Sequence, residues 1–264
     1  MSPAPRATTL KGARAITIPG DRTGVILCHG YTGTPQSLGA WPERLSKAGF
    51  AVECPLLPGH GTVWRDMAKT RWSDWYDAVD AAFVDLQSRC DEVFVMGLSM
   101  GGTLALRLAE VHGAEVAGLV LVNPSLTTTR RAAKLAPLLK HLVASTKGPG
   151  NDVAKPGVVE LAYDRHPLRA FDSLRAFWAI VRGDLHRIDQ PLLVFRSAND
   201  HVVEPISSKM LLARVSSTDV TEVVLKDSFH VATLDYDAPR IFAASIDFVH
   251  RLSRTSSGRG TDAQ

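Results

Sequence analysis

One stretch of this sequence, residues 92–102, restricts the possible folds more than any other. An apolar segment at Val93–Met96 leads through Gly97-Leu98-Ser99-Met100-Gly101 into Thr103–Glu110, where leucine and alanine recur at helical spacing. Glycines two positions before and after a serine permit a strained turn that lifts the hydroxyl clear of the backbone. The bare pattern arises by chance in roughly one chain in ten of this length, so the flanking strand and helix carry the inference. We therefore predict that Ser99 is a nucleophile on a turn between a buried strand and a helix.

The rest of the chain alternates between apolar strand patterns and amphipathic helix patterns. Continuous apolar runs are typical of strands that are covered on both faces in a parallel sheet. This order predicts an α/β fold with a doubly wound, mostly parallel sheet. Strands are predicted at Ala13–Ile18, Thr23–Cys28, Phe50–Cys54, Val93–Met96, Val116–Val122, Pro191–Phe195 and Thr221–Leu225. Helices are predicted at Pro35–Ala48, Trp72–Ser88, Thr103–Glu110, Pro205–Ala213 and from after Asp237 to about Leu252.

An insertion interrupts this alternation after Val122. The next strand begins only at Pro191, far beyond the roughly 30 residues that a complete strand–helix–strand unit requires. We predict a small helical cap over residues 125–187 and an α/β core formed by residues 10–124 and 188–253. Residues 254–264 are predicted to be a disordered tail. The helical patterns in the insertion are Arg131–Ala144, Val158–Tyr163 and Leu168–Arg182.

Composition and charge exclude several classes of protein. The chain has 264 residues, 45% of them hydrophobic and 22% charged, which excludes a disordered or fibrous protein. The net charge of +3 is small and the basic residues are scattered, so nucleic-acid binding has no support. No apolar run approaches the roughly 18 residues that span a bilayer. Residues 1–9 lack the apolar core of a secretory signal, and we expect a cytoplasmic location.

A serine nucleophile needs an imidazole base and a carboxylate that orients the base. In hydrolases with this turn, the acid follows a late strand and the histidine follows the last strand. Asp200 comes soon after the strand Pro191–Phe195, at the sheet edge where ligands approach. His230 lies in the loop after Thr221–Leu225. The alternative position for the acid, one strand earlier, holds Asn123-Pro124-Ser125 and no carboxylate, so Asp200 and His230 are the predicted partners.

Two backbone N–H groups are expected to bind the negative oxygen of a tetrahedral intermediate. They belong to Met100, directly after the nucleophile, and to Tyr31, in the glycine-rich turn that follows an early strand. No metal or other cofactor is implied, because no histidine pairs with another at i,i+4 spacing and the three cysteines form no metal-binding pattern. His29 and His60 lie in glycine turns and are interpreted as loop-stabilising residues.

Five motifs lie at the predicted loops of this fold: His29–Thr34, Pro58–Thr62, Gly97–Gly102, Asp200–Val203 and Ser228–Asp235. Together they resemble the bacterial monoacylglycerol lipase and small carboxylesterase group of α/β hydrolases, in particular its Bacillus type. The resemblance covers residues 23–252. It implies an α/β-hydrolase fold, a catalytic triad of Ser99, Asp200 and His230, and an oxyanion hole formed by Tyr31 and Met100. It also implies a small lipid-like ester as substrate, most of all a monoacylglycerol that is cleaved to fatty acid and glycerol.

The resemblance further assigns a substrate contact to the cap. Bacillus-type monoacylglycerol lipases have an acidic cap residue that contacts the glycerol head, and Glu160 is similar to it in position; a solvated helix residue is the other interpretation. A general carboxylesterase or thioesterase is the alternative enzyme, and a catalytically silent binding protein is the alternative of another class. In the cap, Ala132–Leu142 places leucines among lysines, which suits either simple packing or transient contact with a membrane surface. A monomer and a homodimer are both compatible with the sequence.

Overall fold

A seven-stranded sheet forms the centre of the protein. The computed structural model describes residues 8–148 and 150–259. The strands are β1 (Ile16–Ile18), β2 (Thr23–Cys28), β3 (Ala51–Cys54), β4 (Glu92–Leu98), β5 (Val116–Val122), β8 (Leu192–Ser197) and β9 (Val220–Leu225), with β6 (Ser145–Lys147) and β7 (Arg165–Pro167) outside the sheet. The sheet order is β1-β3-β2-β4-β5-β8-β9, and every neighbouring pair is parallel except the antiparallel pair β1 and β3. The strand that leads to Ser99, β4, lies in the middle.

Helices cover both faces of this sheet, as the continuous apolar strands require. The helices are α1 (Trp41–Lys47), α2 (Trp64–Met67), α3 (Trp72–Arg89), α4 (Met100–His112), α5 (Ala136–Leu139), α6 (Leu168–Asp184), α7 (Ile206–Arg214) and α8 (Ala238–Arg259). One face of the sheet carries α1 and α8, with Trp41 and Ile241 fully buried between helix and sheet. The other carries α3, α4 and α6, whose Phe83, Leu104 and Phe177 belong to a second buried cluster. The fold is therefore the predicted doubly wound α/β-hydrolase architecture.

The insertion between β5 and β8 is less helical than its sequence pattern predicts. A 3₁₀ turn at Arg131–Leu135 and the single turn α5 replace the long helix predicted from Arg131 to Ala144. The helix predicted at Val158–Tyr163 is wrong, because these residues form an extended loop. A two-stranded antiparallel ribbon, β6 with β7, joins the two ends of this loop region. The predicted cap boundary at residues 125–187 stays a prediction, although α6 packs into the core cluster beneath the sheet.

The C-terminal helix is longer than predicted. It runs from Ala238 to Arg259, whereas the sequence predicted an end near Leu252 and a disordered tail from residue 254. Residues 254–259 therefore continue a helix, and the remainder of the predicted tail, residues 260–264, lies outside the described residues. Among the residues that the structure describes, no helix combines the length and apolar character that crossing a membrane requires.

Candidate active site

Ser99 lies on the sharp turn that its flanking glycines predict. Its backbone has φ 57° and ψ −116°, in the left-handed region that a residue with a side chain rarely occupies. The turn joins the end of β4 to the start of α4. The Ser99 N–H donates to the carbonyl of Val122 at 2.9 Å, and the Ser99 carbonyl accepts from the N–H of Ser125 at 3.2 Å. These bonds to the neighbouring strand β5 and its loop hold a strained residue in one conformation.

The two motif glycines are required by close backbone approach at this turn. A Cβ atom on Gly97 would lie 2.3 Å from the carbonyl carbon of Gly101, and a Cβ atom on Gly101 would lie 1.9 Å from the carbonyl oxygen of Cys28. Both distances are far shorter than any real carbon contact. A side chain at either position would therefore push α4 away from β2 and β4, and the turn that presents Ser99 could not form.

Asp200 and His230 are in direct contact, as the chain order predicts. Asp200 follows β8 and His230 follows β9, and the His230 Nδ1 lies 2.8 Å from the Asp200 Oδ2. Since an ionised carboxylate can only accept, Nδ1 carries the proton and Nε2 keeps a free lone pair. The other Asp200 oxygen accepts the N–H groups of Val202 and Val203, each at 2.8 Å. The loop after β8 thus fixes the carboxylate, and the carboxylate fixes the imidazole.

The charges around His230 favour its protonated form. Burial lowers the pKa of His230, but the Asp200 carboxylate beside it, with smaller effects from Glu160 and Asp152, raises the pKa above the ordinary 6.5. Burial alone would raise the pKa of Asp200. The His230 charge and the hydrogen bonds to the Asp200 carboxylate oxygens outweigh burial, so the pKa of Asp200 lies below its ordinary value. The pair is therefore suited to a base that accepts a proton while its partner stays ionised.

The two backbone N–H groups predicted for the oxyanion hole flank Ser99, the predicted nucleophile. Met100 is the first residue of α4, where an N–H has no intrahelical partner. Tyr31 follows Gly30, and a Cβ atom on Gly30 would lie 4.0 Å from the Ser99 Oγ, so this turn passes directly beside the serine. Among the described residues, neither N–H donates to a protein acceptor. Both groups are available to a negatively charged oxygen next to Ser99.

Glu160 reaches this site from the loop of the insertion that covers it, residues 150–164, which we call the cap loop. A Cβ atom on Gly33 would lie 2.9 Å from the Glu160 Oε1, which places the carboxylate above the turn that carries Tyr31. Burial raises the pKa of Glu160 to about 7, and the His230 charge opposes this shift. The structure therefore places Glu160 with the predicted triad rather than on a solvated helix.

Two cavities meet at Ser99, and Tyr31, His166 and Val202 also line both of them. The smaller cavity, of about 230 Å³, contains the side chains of His230 and several polar cap-loop residues, among them Asn151, Asp152, Glu160 and Asp164. The larger cavity, of about 490 Å³, lies beneath α5 and α6 and is lined mainly by apolar side chains, among them Ala133, Leu139, Leu168, Phe171, Leu174 and Trp178. The serine thus stands between a smaller chamber that carries acidic and amide side chains and a larger, more apolar one.

The sequence patterns did not indicate a role for Asn123, which lies beside the predicted triad. It directly follows β5, at the alternative position for the acid, and has a positive φ of 46°. Its side-chain N–H₂ donates to the His230 carbonyl at 2.7 Å and to the Ser197 Oγ at 2.9 Å, while its side-chain oxygen accepts the Ser197 N–H at 2.7 Å. Asn123 therefore ties the loop of His230 to the end of β8. A polar residue directly after a buried strand was the available signal.

The two histidines in glycine turns have the structural role that the sequence suggests. Because the Leu57 N–H donates to the His29 Nε2, the proton is on Nδ1, which donates to the Gly30 carbonyl at 3.0 Å. The His60 Nδ1 donates to the Pro58 carbonyl at 3.1 Å. Burial lowers the pKa of both rings, to about 3 for His29 and about 4 for His60. Within the described residues there is no group of three or more His, Cys, Asp or Glu that could hold a metal ion.

Comparison with known proteins identifies the relatives of this chain. A thermostable monoacylglycerol lipase from Bacillus sp. (strain H-257) is 40% identical over 242 residues, which are 90% of this chain and 95% of that protein. A solved structure from work on LipS and LipT, two metagenome-derived lipolytic enzymes, has 35% identity and a TM-score of 0.90, and the match covers 92% of this chain and 100% of that one. The monoacylglycerol lipase of Paleococcus ferrophilus, at 21% identity, shares the fold, with a TM-score of 0.77 over 90% of this chain and 98% of that one.

The fold and the serine turn define the class of this protein as an α/β hydrolase. Residues 20–237 match the hydrolase family described as "Serine aminopeptidase, S33". Because the match spans most of the chain, the chain belongs to this family. Its curated relatives include a carboxylesterase from Bacillus subtilis (strain 168) as well as the Bacillus lipase, and the protein is an ester hydrolase.

Proposed function

We propose that this protein hydrolyses monoacylglycerols to a fatty acid and glycerol through an acyl-enzyme on Ser99. The observation that carries the proposal is the pair of unlike cavities that meet at this serine. A monoacylglycerol has one long apolar arm and one small polyol arm on either side of its ester. With the ester carbon at the Ser99 Oγ, the larger, more apolar cavity takes the acyl chain, and the smaller cavity, where Asn151 and Glu160 supply polar groups, takes the glycerol.

The proposed reaction has two steps at the same atoms. The His230 Nε2 removes the Ser99 proton while Oγ attacks the ester carbonyl, and the N–H groups of Tyr31 and Met100 bind the resulting oxyanion. The protonated His230 then donates to the glycerol oxygen as the ester bond breaks, which leaves the acyl group on Ser99. A water molecule activated by His230 releases the fatty acid. Asp200 stabilises the imidazolium in both steps.

Glu160 is proposed to bind the glycerol hydroxyls. A carboxyl whose pKa is raised to about 7 by burial is protonated in a large fraction of molecules at neutral pH. Such a group both donates to and accepts from hydroxyls, which suits a neutral polyol better than the ammonium group of a peptide N-terminus. Glu160 therefore favours an ester over an aminoacyl substrate within a family whose description names an aminopeptidase.

The test of substrate class compares a monoacylglycerol with the methyl ester of the same fatty acid. We expect Glu160→Ala, which removes both the donor and the acceptor, to lower the preference for the monoacylglycerol, as a ratio of kcat/KM values, by about tenfold, the effect of one lost hydrogen bond. Any change at His230 affects both substrates and cancels in the ratio. Asp172→Ala is the control, because Asp172 lies in the insertion but pairs with Lys140 and Arg175. An unchanged ratio in Glu160→Ala would favour the general carboxylesterase, and faster turnover of acyl thioesters would favour the thioesterase.

Transient membrane contact is a further part of the proposal, supported by an exposed apolar face on the insertion. Leu138 and Leu142 are 71% and 83% exposed, and Leu135 and Val143 are exposed beside them. We expect sedimentation with vesicles of mixed neutral and anionic lipid to recover the protein, and the double change Leu138→Asp with Leu142→Asp to weaken binding at least tenfold, since each leucine contributes about 1.5–3 kcal/mol when buried. Hydrolysis of a soluble short ester should not change. If the unmodified protein does not sediment with the vesicles, the proposed membrane contact is wrong.

The cytoplasmic location and the choice between monomer and homodimer stay predictions.

A further inference from the structure

One cap-loop residue, Asp152, is hydrogen-bonded to the loops of both His230 and Asp200. Its Oδ2 accepts the backbone N–H of His230 at 3.0 Å and that of His201 at 3.2 Å, and its Oδ1 lies 2.8 Å from the His201 Nδ1. Its backbone carbonyl accepts the N–H of Val231 at 3.1 Å. A single cap-loop residue thus binds the loop of the predicted base and the loop of the predicted acid, where His201 directly follows Asp200.

These contacts complete the backbone bonding of His230. On the side of the sheet, the His230 carbonyl accepts from Asn123; on the side of the cap, its N–H donates to Asp152. The Asp152 side chain is only 12% exposed, whereas that of His201 is 60% exposed. A partly buried carboxylate that accepts three hydrogen bonds is a stronger anchor than a surface ion pair. The position of the imidazole therefore depends on the cap loop as well as on the sheet.

We propose that Asp152 is a positioning residue, which holds the loops of Asp200 and His230 together and places a negative charge beside the catalytic base. This inference rests on the proposed role of His230. It assigns to the cap loop a second task beyond enclosing the substrate, because displacement of this loop would also remove an anchor of the base. An error of about 1 Å in the placement of a catalytic group can reduce the rate about a hundredfold.

The negative charge of Asp152 raises the pKa of His230, and the direction of this effect can be measured. The groups that face His230 are Asp200 from the loop after β8 and Asp152 and Glu160 from the cap loop, with His201 on the far side of Asp152. All three carboxylates raise the pKa of His230, so removal of one lowers it. Catalysis requires neutral His230, and activity is lost as the pH falls through this pKa. A variant without the Asp152 charge should therefore retain activity to lower pH, even though its maximal rate is reduced.

The experiment measures kcat and kcat/KM against pH for methyl butyrate, a soluble ester that has no glycerol group, by titration of the released acid. We expect Asp152→Asn to lower kcat about tenfold or more and to move the acid limb of kcat/KM to lower pH. Asp172→Asn is the matched control, since it removes an 18% exposed carboxylate in the same insertion. It should keep kcat within about twofold, because an ion pair away from the site contributes little, and its acid limb should be that of the unmodified enzyme.

Two outcomes would overturn the role of Asp152. In the first, Asp152→Asn has the same kcat, the same KM and the same acid limb of kcat/KM as the control. In the second, its KM rises while its kcat and its acid limb stay unchanged. If Asp152→Asn does not fold, Asp152→Ser takes its place, because serine has an oxygen acceptor and no charge. The same shift of the acid limb of kcat/KM is then measured with this variant. Ser99→Ala and His230→Ala belong in the same assay. Activity retained in these two would refute the triad, whereas their inactivity beside an unaltered Asp152→Asn refutes only the positioning role.

Discussion

Replacement of Ser99 by alanine is expected to lower kcat for ester hydrolysis on the order of 10⁴- to 10⁶-fold. The change removes the only oxygen that can form the acyl-enzyme in the proposed reaction, while the oxyanion hole and both cavities remain. The residual rate should be that of water attacking a bound ester. Because serine and alanine differ by one oxygen, the strained backbone at φ 57° faces the same cost in both, and the fold should be retained.

The measurement combines steady-state rates with labelling by a fluorophosphonate, which reacts with an activated serine. The unmodified protein should be labelled at Ser99, and Ser99→Ala should not be labelled. Ser245→Ala is a suitable control: Ser245 is fully buried in α8, where its hydroxyl donates to the Ile241 carbonyl at 2.6 Å. Near-normal hydrolysis by Ser99→Ala would disprove the assignment. An unmodified protein that neither hydrolyses esters nor reacts with the probe would instead be the silent binding protein.

The core of this fold could be predicted because its patterns are local. A strand buried on both faces must be continuously apolar, and β4 and β5 satisfy this rule with no interior charge. Asp200 and His230 could be located because parallel strands end at the same edge of the sheet, which brings together loops that are far apart in sequence. The 2.8 Å contact between their side chains follows from that topology.

The insertion could not be predicted in the same way, because contacts with distant residues replace its local pattern. At 158–163 the sequence has apolar residues at helical spacing, but the Leu161 N–H donates to the Gln36 Oε1 at 2.7 Å and the Tyr163 N–H to the Thr32 carbonyl at 3.1 Å. The Leu161 carbonyl accepts from the Thr34 hydroxyl. These bonds use the backbone groups that a helix needs. One turn of helix is marginal without such competition, so the extended loop is favoured.

Asn123 and Asp152 could not be predicted from the sequence, and the reason is the same for both. Each acts on the backbone of His230, through its carbonyl and its N–H respectively, and neither contact follows from a spacing in the sequence. A residue that orients a catalytic side chain through the backbone has no required neighbours in the chain. Sequence patterns therefore located the groups that are predicted to react, whereas the structure was needed to find the groups that hold them.

Replacement of Asp200 by asparagine is expected to lower kcat by about 10³- to 10⁴-fold while leaving the fold intact. The asparagine oxygen can still accept the N–H groups of Val202 and Val203, which organise this loop. Its N–H₂ group would then donate to the His230 Nδ1, which forces the proton onto Nε2. An imidazole with its proton on Nε2 cannot take the proton of Ser99. The loss comes from the wrong tautomer and from the missing negative charge.

Among the described residues, no other carboxylate is hydrogen-bonded to the His230 ring. The side chain of Asn123, on the adjacent strand, is directed at the His230 carbonyl and not at the ring. Because the Asp200 charge raises the pKa of His230, the acid limb of kcat/KM should also move to lower pH in the variant. Asp219→Asn, which removes an exposed ion pair with Arg251, should behave like the unmodified enzyme. If Asp200→Asn kept kcat within tenfold of that enzyme, Asp200 would not orient the base, and the acid would have to be sought on another loop.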